Sequence, residues 1–146
     1  MPSVFPRSAL AALLATAFVA PAAWSQTRDQ ALFAAATAEK PAVIKTLETL
    51  VNIETGTGDG DGMASAGSYL ESELKALGFT VTRSKSTGIV VGDNIVGKLN
   101  GKGGKNLLLL SHMDTVYLKG ILPKAPSRVE GDKAYGPGIA DDKGGN

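Results

Sequence analysis

His112 is the only histidine in the 146 residues, and Asp114 follows it two positions later. Side chains two apart on a strand share a face. A carboxylate so placed can accept one imidazole N–H, fix the tautomer and leave the other nitrogen free for a metal or a proton. A second acidic element, Asp141-Asp142, lies between Gly136-Pro137-Gly138 and Lys143-Gly144-Gly145-Asn146. Alone, a His-x-Asp is more often structural, and adjacent carboxylates in a solvated loop usually carry no chemistry. Context adds weight to both. His112 follows Leu107–Leu110, apolar on both faces as a covered central strand would be, and open α/β sheets place their sites at strand carboxyl ends. The Gly-Pro-Gly run suits an unusual backbone path, and a carboxylate there could bridge two metal ions about 3.5–4 Å apart that share an activated water. With no cysteine in the chain, thiolate ligands, disulfides and cysteine nucleophiles are excluded. A His/carboxylate site then favours zinc, with manganese or cobalt as alternatives.

The elements that must position these groups are legible in part. Asp29 is a candidate N-cap for an Ala-rich helix over 30–39, and Pro41 suits the first turn of a second helix. There Val43, Ile44, Leu47, Leu50 and Val51 recur at helical spacing. The run Gly56-Thr57-Gly58-Asp59-Gly60-Asp61-Gly62 stops that helix. It lacks both the twelfth-position glutamate of a calcium loop and the Gly-Lys-Ser/Thr of a phosphate loop, so it reads as a solvated turn from which the next helix begins. Met63–Leu77, with Met63, Ala66, Leu70, Leu74 and Leu77 on one face and Gly78 placed to cap it, is the strongest helix. Phe79–Thr82, Ile89–Val91 and Asn94–Leu99 read as strands, Asn100–Lys105 as a tight turn, Leu107–Leu110 as the central strand, and Arg128–Tyr135 as a hairpin turning at Gly131-Asp132. The alternation predicts an α/β fold, with helices packed on a mixed sheet.

Composition narrows the class. Forty-three per cent hydrophobic and 20% charged residues with a net charge of +1 suit one globular domain and give no electrostatic case for binding nucleic acid. Arg7, the apolar run Ala9–Ala20 and the small residues Ala23 and Ser25 form a signal-peptide pattern over residues 1–25, with the cut placed before Gln26 and a competing site at Ala20-Pro21-Ala22. Removing Arg7 and no acid reduces 15 basic residues to 14, matching the 14 acidic ones. The expected mature product is neutral, exported to the periplasm or medium, and free of the membrane.

His112-Met113-Asp114-Thr115-Val116-Tyr117 and Gly136-Pro137-Gly138-Ile139-Ala140-Asp141-Asp142-Lys143-Gly144-Gly145 resemble the two N-terminal signatures of the co-catalytic zinc aminoacylase/carboxypeptidase family, most closely its secreted bacterial glutamate carboxypeptidases. Pro41–Glu48, Leu50–Asp59 and the position of the signal peptide resemble the same group, so the likeness covers essentially the whole chain. It implies that His112 ligates one zinc, that Asp141 bridges two zincs, and that Asp114 is the catalytic residue that orients His112. It places Asp142 across a cis peptide bond. It further implies release of C-terminal glutamate from folate-type or N-acyl peptide substrates, by attack of a zinc-bound hydroxide with a glutamate as general base, and a homodimer. The family's general base, its other ligands and its dimerisation domain have no counterpart here. The expectation is therefore the N-terminal part of a zinc-peptidase catalytic domain over 26–146, inactive alone. The alternatives are another amidohydrolase of the family (an N-acyl-amino-acid deacylase, desuccinylase or dipeptidase) or, if the native product ends at Asn146, a non-enzymatic exported binding module.

Overall fold

The computed structural model describes residues 27–146; the signal segment read over 1–25 lies outside them. Three helices come first: α1 (Gln30–Ala38), α2 (Lys40–Val51) and α3 (Gly60–Ala76). Asp29 caps α1 by accepting from the Leu32 amide at 3.0 Å, and proline occupies the first turn of α2. α3 begins three residues earlier than its apolar periodicity suggests. Asp59, in the glycine-aspartate run, is its N-cap and accepts from the Gly62 amide at 3.1 Å. At the other end Gly78 takes φ +87°. The amides of Gly78 and Phe79 bond to the carbonyls of Lys75 and Leu74, the paired closure of a Schellman motif.

α3 packs on an antiparallel hairpin of β1 (Thr80–Lys85) and β2 (Asp93–Lys98). Gly97 of β2 allows close approach: a Cβ there would lie 3.1 Å from Phe79 Cδ1 and 3.2 Å from Leu74 Cδ1 of α3. Glu71 on α3 bonds both Lys75 and Arg83, and these two cations hold its carboxyl below the usual range. A second hairpin, β3 (Arg128–Glu130) and β4 (Lys133–Tyr135), turns at Gly131-Asp132 as expected. The buried apolar core is small and lies where α2 and α3 meet the rest of the chain: Leu50, Val51, Met63 and Ala66.

Helices with strands bear out the α/β reading, yet the sheets are two separate antiparallel pairs. Among the described residues the parallel element is an isolated bridge, Gly56 with Thr115. Leu107–Leu110, expected as a covered central strand, forms no strand, and its leucines are 82–91% exposed. Ile89–Val91 likewise lies outside any strand. A central strand needs hydrogen-bonding neighbours on both edges. Here β1 pairs with β2 and β3 with β4, and neither pair extends its open edge to the leucines.

Candidate metal centre

Two chain crossings bring the site together. In the first, the segment after α2 lies beside the segment after His112. The Thr115 amide donates to Thr55 O at 2.8 Å, and the Thr57 amide donates to Thr115 O at 2.9 Å. Gly56 is required between them, because a Cβ there would meet Tyr117 O at 2.3 Å. In the second, the bent turn Ile139–Lys143 carries the aspartate pair, with Gly138 at φ +77° before it and a cis bond between Asp141 and Asp142. Any Cβ at Gly138 would strike Thr115 Cγ2 at 2.4 Å, so the two crossings pack directly on each other.

His112 stands between them. Its Nδ1 faces Asp114 Oδ1 and the Asp114 carbonyl, each at 3.1 Å, and its Nε2 faces Asp141 Oδ1 at 3.0 Å. The Asp141 carboxylate, then that of Asp114, raises the imidazole pKa above its ordinary value. The ring is half exposed, Asp114 is 41% exposed and Asp141 is 76% exposed, so the open side of the site is the Nε2–Asp141 edge.

The three residues singled out by sequence thus meet, although 27 positions separate Asp114 from Asp141. Asp114 touches the imidazole and acts through it, which makes it a positioning residue. Asp142, adjacent to Asp141, faces elsewhere: its Oδ2 accepts from Ser111 Oγ at 2.7 Å. Asn146 Nδ2 donates to His112 O and Asp142 O at 3.0 and 3.1 Å. Together these bonds tie the histidine segment to the aspartate turn.

Sequence reasoning missed the supports. Lys143 is 4% exposed. Its ammonium donates to Leu50 O at 2.8 Å and Ile53 O at 2.6 Å, fastening the aspartate turn to the carboxyl end of α2, where a cation is favoured by the helix dipole. Burial pushes its pKa down to about 8, against the pull of Glu54. Glu54 accepts from the Gly120 and Leu122 amides at 2.8 and 3.0 Å and so holds the loop beyond the site. Thr57 Oγ1 donates to Asp114 Oδ2 at 2.9 Å. No periodicity or spacing marks these contacts, since each joins residues more than fifty positions apart.

An imidazole nitrogen and a carboxylate oxygen converging at 3.0 Å, with the second imidazole nitrogen already held by a carboxylate, are the donor types and support that a zinc ligand pair needs. Among the described residues no group of three or more such side chains surrounds a metal position, so the pair supplies part of a ligand set.

Comparison with known proteins agrees with the motifs. The chain is 79% identical over 140 residues to Carboxypeptidase G2 of Pseudomonas sp. (strain RS-16), a match covering 96% of this chain and 34% of that protein. It is 33% identical over 97 residues to a Peptidase M20 domain-containing protein of Schizosaccharomyces pombe, covering 66% of this chain and 22% of that protein. The chain therefore spans about a third or less of the length of these curated relatives. No family model matches it. The resemblance carried by the two motifs is thus borne out.

Proposed function

We propose that this homologue of Carboxypeptidase G2 forms the N-terminal part of an exported, zinc-dependent exopeptidase that releases C-terminal glutamate from folate-type or N-acyl peptide substrates. The observation that carries the reading is the convergence of His112 Nε2 and Asp141 Oδ1 at 3.0 Å with Nδ1 facing Asp114. The identity to a protein named as a carboxypeptidase supports it.

In this reading His112 and Asp141 would be among the residues that hold zinc. Zinc bound there supplies Lewis acidity toward an amide carbonyl and lowers the pKa of an attacking water. The chain's own residues prepare the ligands. Asp114 would accept a hydrogen bond from Nδ1–H, which would leave the Nε2 lone pair for the metal on the edge that Asp141 faces. Ser111 holds the Asp142 carboxylate turned away, so that one carboxylate of the pair faces the imidazole. Lys143 anchors the turn from behind. The remaining ligands and the general base come from elsewhere in the whole protein, because a closed zinc site takes about three or four protein ligands.

The test is made on the whole protein. Chelation should abolish release of glutamate, zinc should restore it, and His112→Ala and Asp141→Ala should each remove activity. Full activity after exhaustive chelation, or in His112→Ala, would sink the zinc reading. A comparison of folate-type with simple acyl-amino-acid substrates separates a glutamate carboxypeptidase from a deacylase. Mass measurement of the exported product, expected to begin at Gln26, tests the signal segment.

A further inference from the structure

We propose that Thr57 is a positioning residue for this centre: its hydroxyl fixes the rotamer of Asp114 and, through it, the tautomer of His112. The inference deepens the zinc reading above and rests on it only for its metal arm. Three observations carry it. First, the backbone of Thr57 is pinned. Its amide is bonded to Thr115 O, and the Thr115 amide to Thr55 O, while Gly56 sits so close to Tyr117 O that no side chain fits. A β-branched side chain on a pinned backbone has few rotamers, so the hydroxyl is delivered to one place. Second, that place lies between two acceptors, Asp114 Oδ2 at 2.9 Å and Thr115 O at 3.3 Å. The carboxylate is nearer and forms the stronger, charge-assisted bond. Third, Oδ2 is the oxygen that His112 does not use. With Oδ2 bound to Thr57, Oδ1 is left facing Nδ1 at 3.1 Å. Asp114 is 41% exposed, and without Thr57 its carboxylate can turn into water.

The role differs from general support of the fold, because it predicts which ring nitrogen carries the proton. The chain has one histidine, so 15N-histidine labelling gives a single imidazole to follow. Long-range proton–nitrogen spectra are recorded without metal, at a pH where the ring is neutral, in an Asp141→Ala background, because the Asp141 carboxylate faces Nε2 at 3.0 Å and competes for the ring proton. In that background the parent chain and Thr57→Ser should show Nδ1 protonated and Nε2 bare. Thr57→Val should shift toward the Nε2–H form that free histidine prefers, and Asp114→Asn should shift with it. Thr57→Ala replaces T57V if the valine variant loses the native amide spectrum. An unchanged tautomer in a natively folded T57V or T57A overturns the proposal, as does a T57S that fails to keep the native pattern. If the isolated chain gives no native spectrum, the same variants are made in the whole protein, with His112 assigned by its loss in His112→Gln.

Zinc affinity of the whole protein, measured by competition with a chromophoric chelator, supplies the second readout. T57V should weaken it about tenfold, the lower end of the range for groups behind a metal ligand, and T57S should restore it. Equal affinity in T57V and the native protein counts against the proposal. If none of the proteins binds zinc, the functional reading fails while the tautomer comparison still decides the role of Thr57.

Discussion

At the scale of single residues, the site is built by polar groups whose partners lie far away in sequence. Glu54 is an example: the amides of Leu122 and then Gly120 hold its carboxyl below the ordinary value of 4.5. A carboxyl with a depressed folded pKa stabilises the fold fully above its ordinary value, and the contribution fades as pH falls through the folded one. On acidification the Gly120 and Leu122 amide resonances should move together as Glu54 is protonated, with a midpoint below 4.5. In Glu54→Gln that step should vanish. Thr55 is the opposite case. It is 1% exposed, and its hydroxyl oxygen has no hydrogen-bond partner. A buried, unbonded hydroxyl costs about 1–3 kcal/mol. Thr55→Val keeps the shape and removes the group, so it should raise the urea midpoint, by an amount equivalent to about 1 kcal/mol. A lower midpoint would mean that the hydroxyl is satisfied.

Among the elements, the turn that carries Asp141 and Asp142 depends on the end of α2. Lys143 reaches back ninety and more positions to two carbonyls there; Leu50 O also accepts from the Ile53 amide at 3.2 Å, so the ammonium matters most to Ile53 O. Lys143→Met keeps the length of the side chain and removes the donors. The variant should lose about 1–3 kcal/mol of stability through the loss of these bonds, that to the Ile53 carbonyl above all. It should also release the turn, seen as faster amide exchange at Gly144 and Gly145 than in the native chain. Loss of stability with unchanged exchange there would mean that other contacts hold the turn. Gly138 belongs to the same element: φ +77° and the closeness of Thr115 both forbid a side chain. The Gly-Pro-Gly signal was legible in sequence because it marks a backbone path. Lys143 was not, because a lysine in a glycine-rich loop reads as solvated until the packing shows it buried.

For the whole molecule, the division is between a small core and a large exposed apolar surface. Leu50 is 3% exposed, whereas Leu107, Leu108, Leu109 and Leu110 are 82–91% exposed. Leu50→Ala should therefore cost about 2–5 kcal/mol in a urea melt. Leu108→Lys should stay within about 0.5 kcal/mol of the native chain. A large loss in Leu108→Lys would mean that the leucines are covered in solution. The sequence by itself determined the three helices, the Asp29 and Gly78 caps, the second hairpin and the candidate residues that meet at the centre. Those signals are local: capping, the 3.6-residue period, turn chemistry, and motif residues that lie next to one another. Tertiary structure alone decided that the four leucines pair with no strand, that Asp141 and not Asp142 meets His112, and that Thr57, Glu54 and Lys143 hold the parts in place. Pairing and support join residues tens of positions apart, and contacts at that distance leave no pattern in the order of the residues; only the folded backbone brings them together.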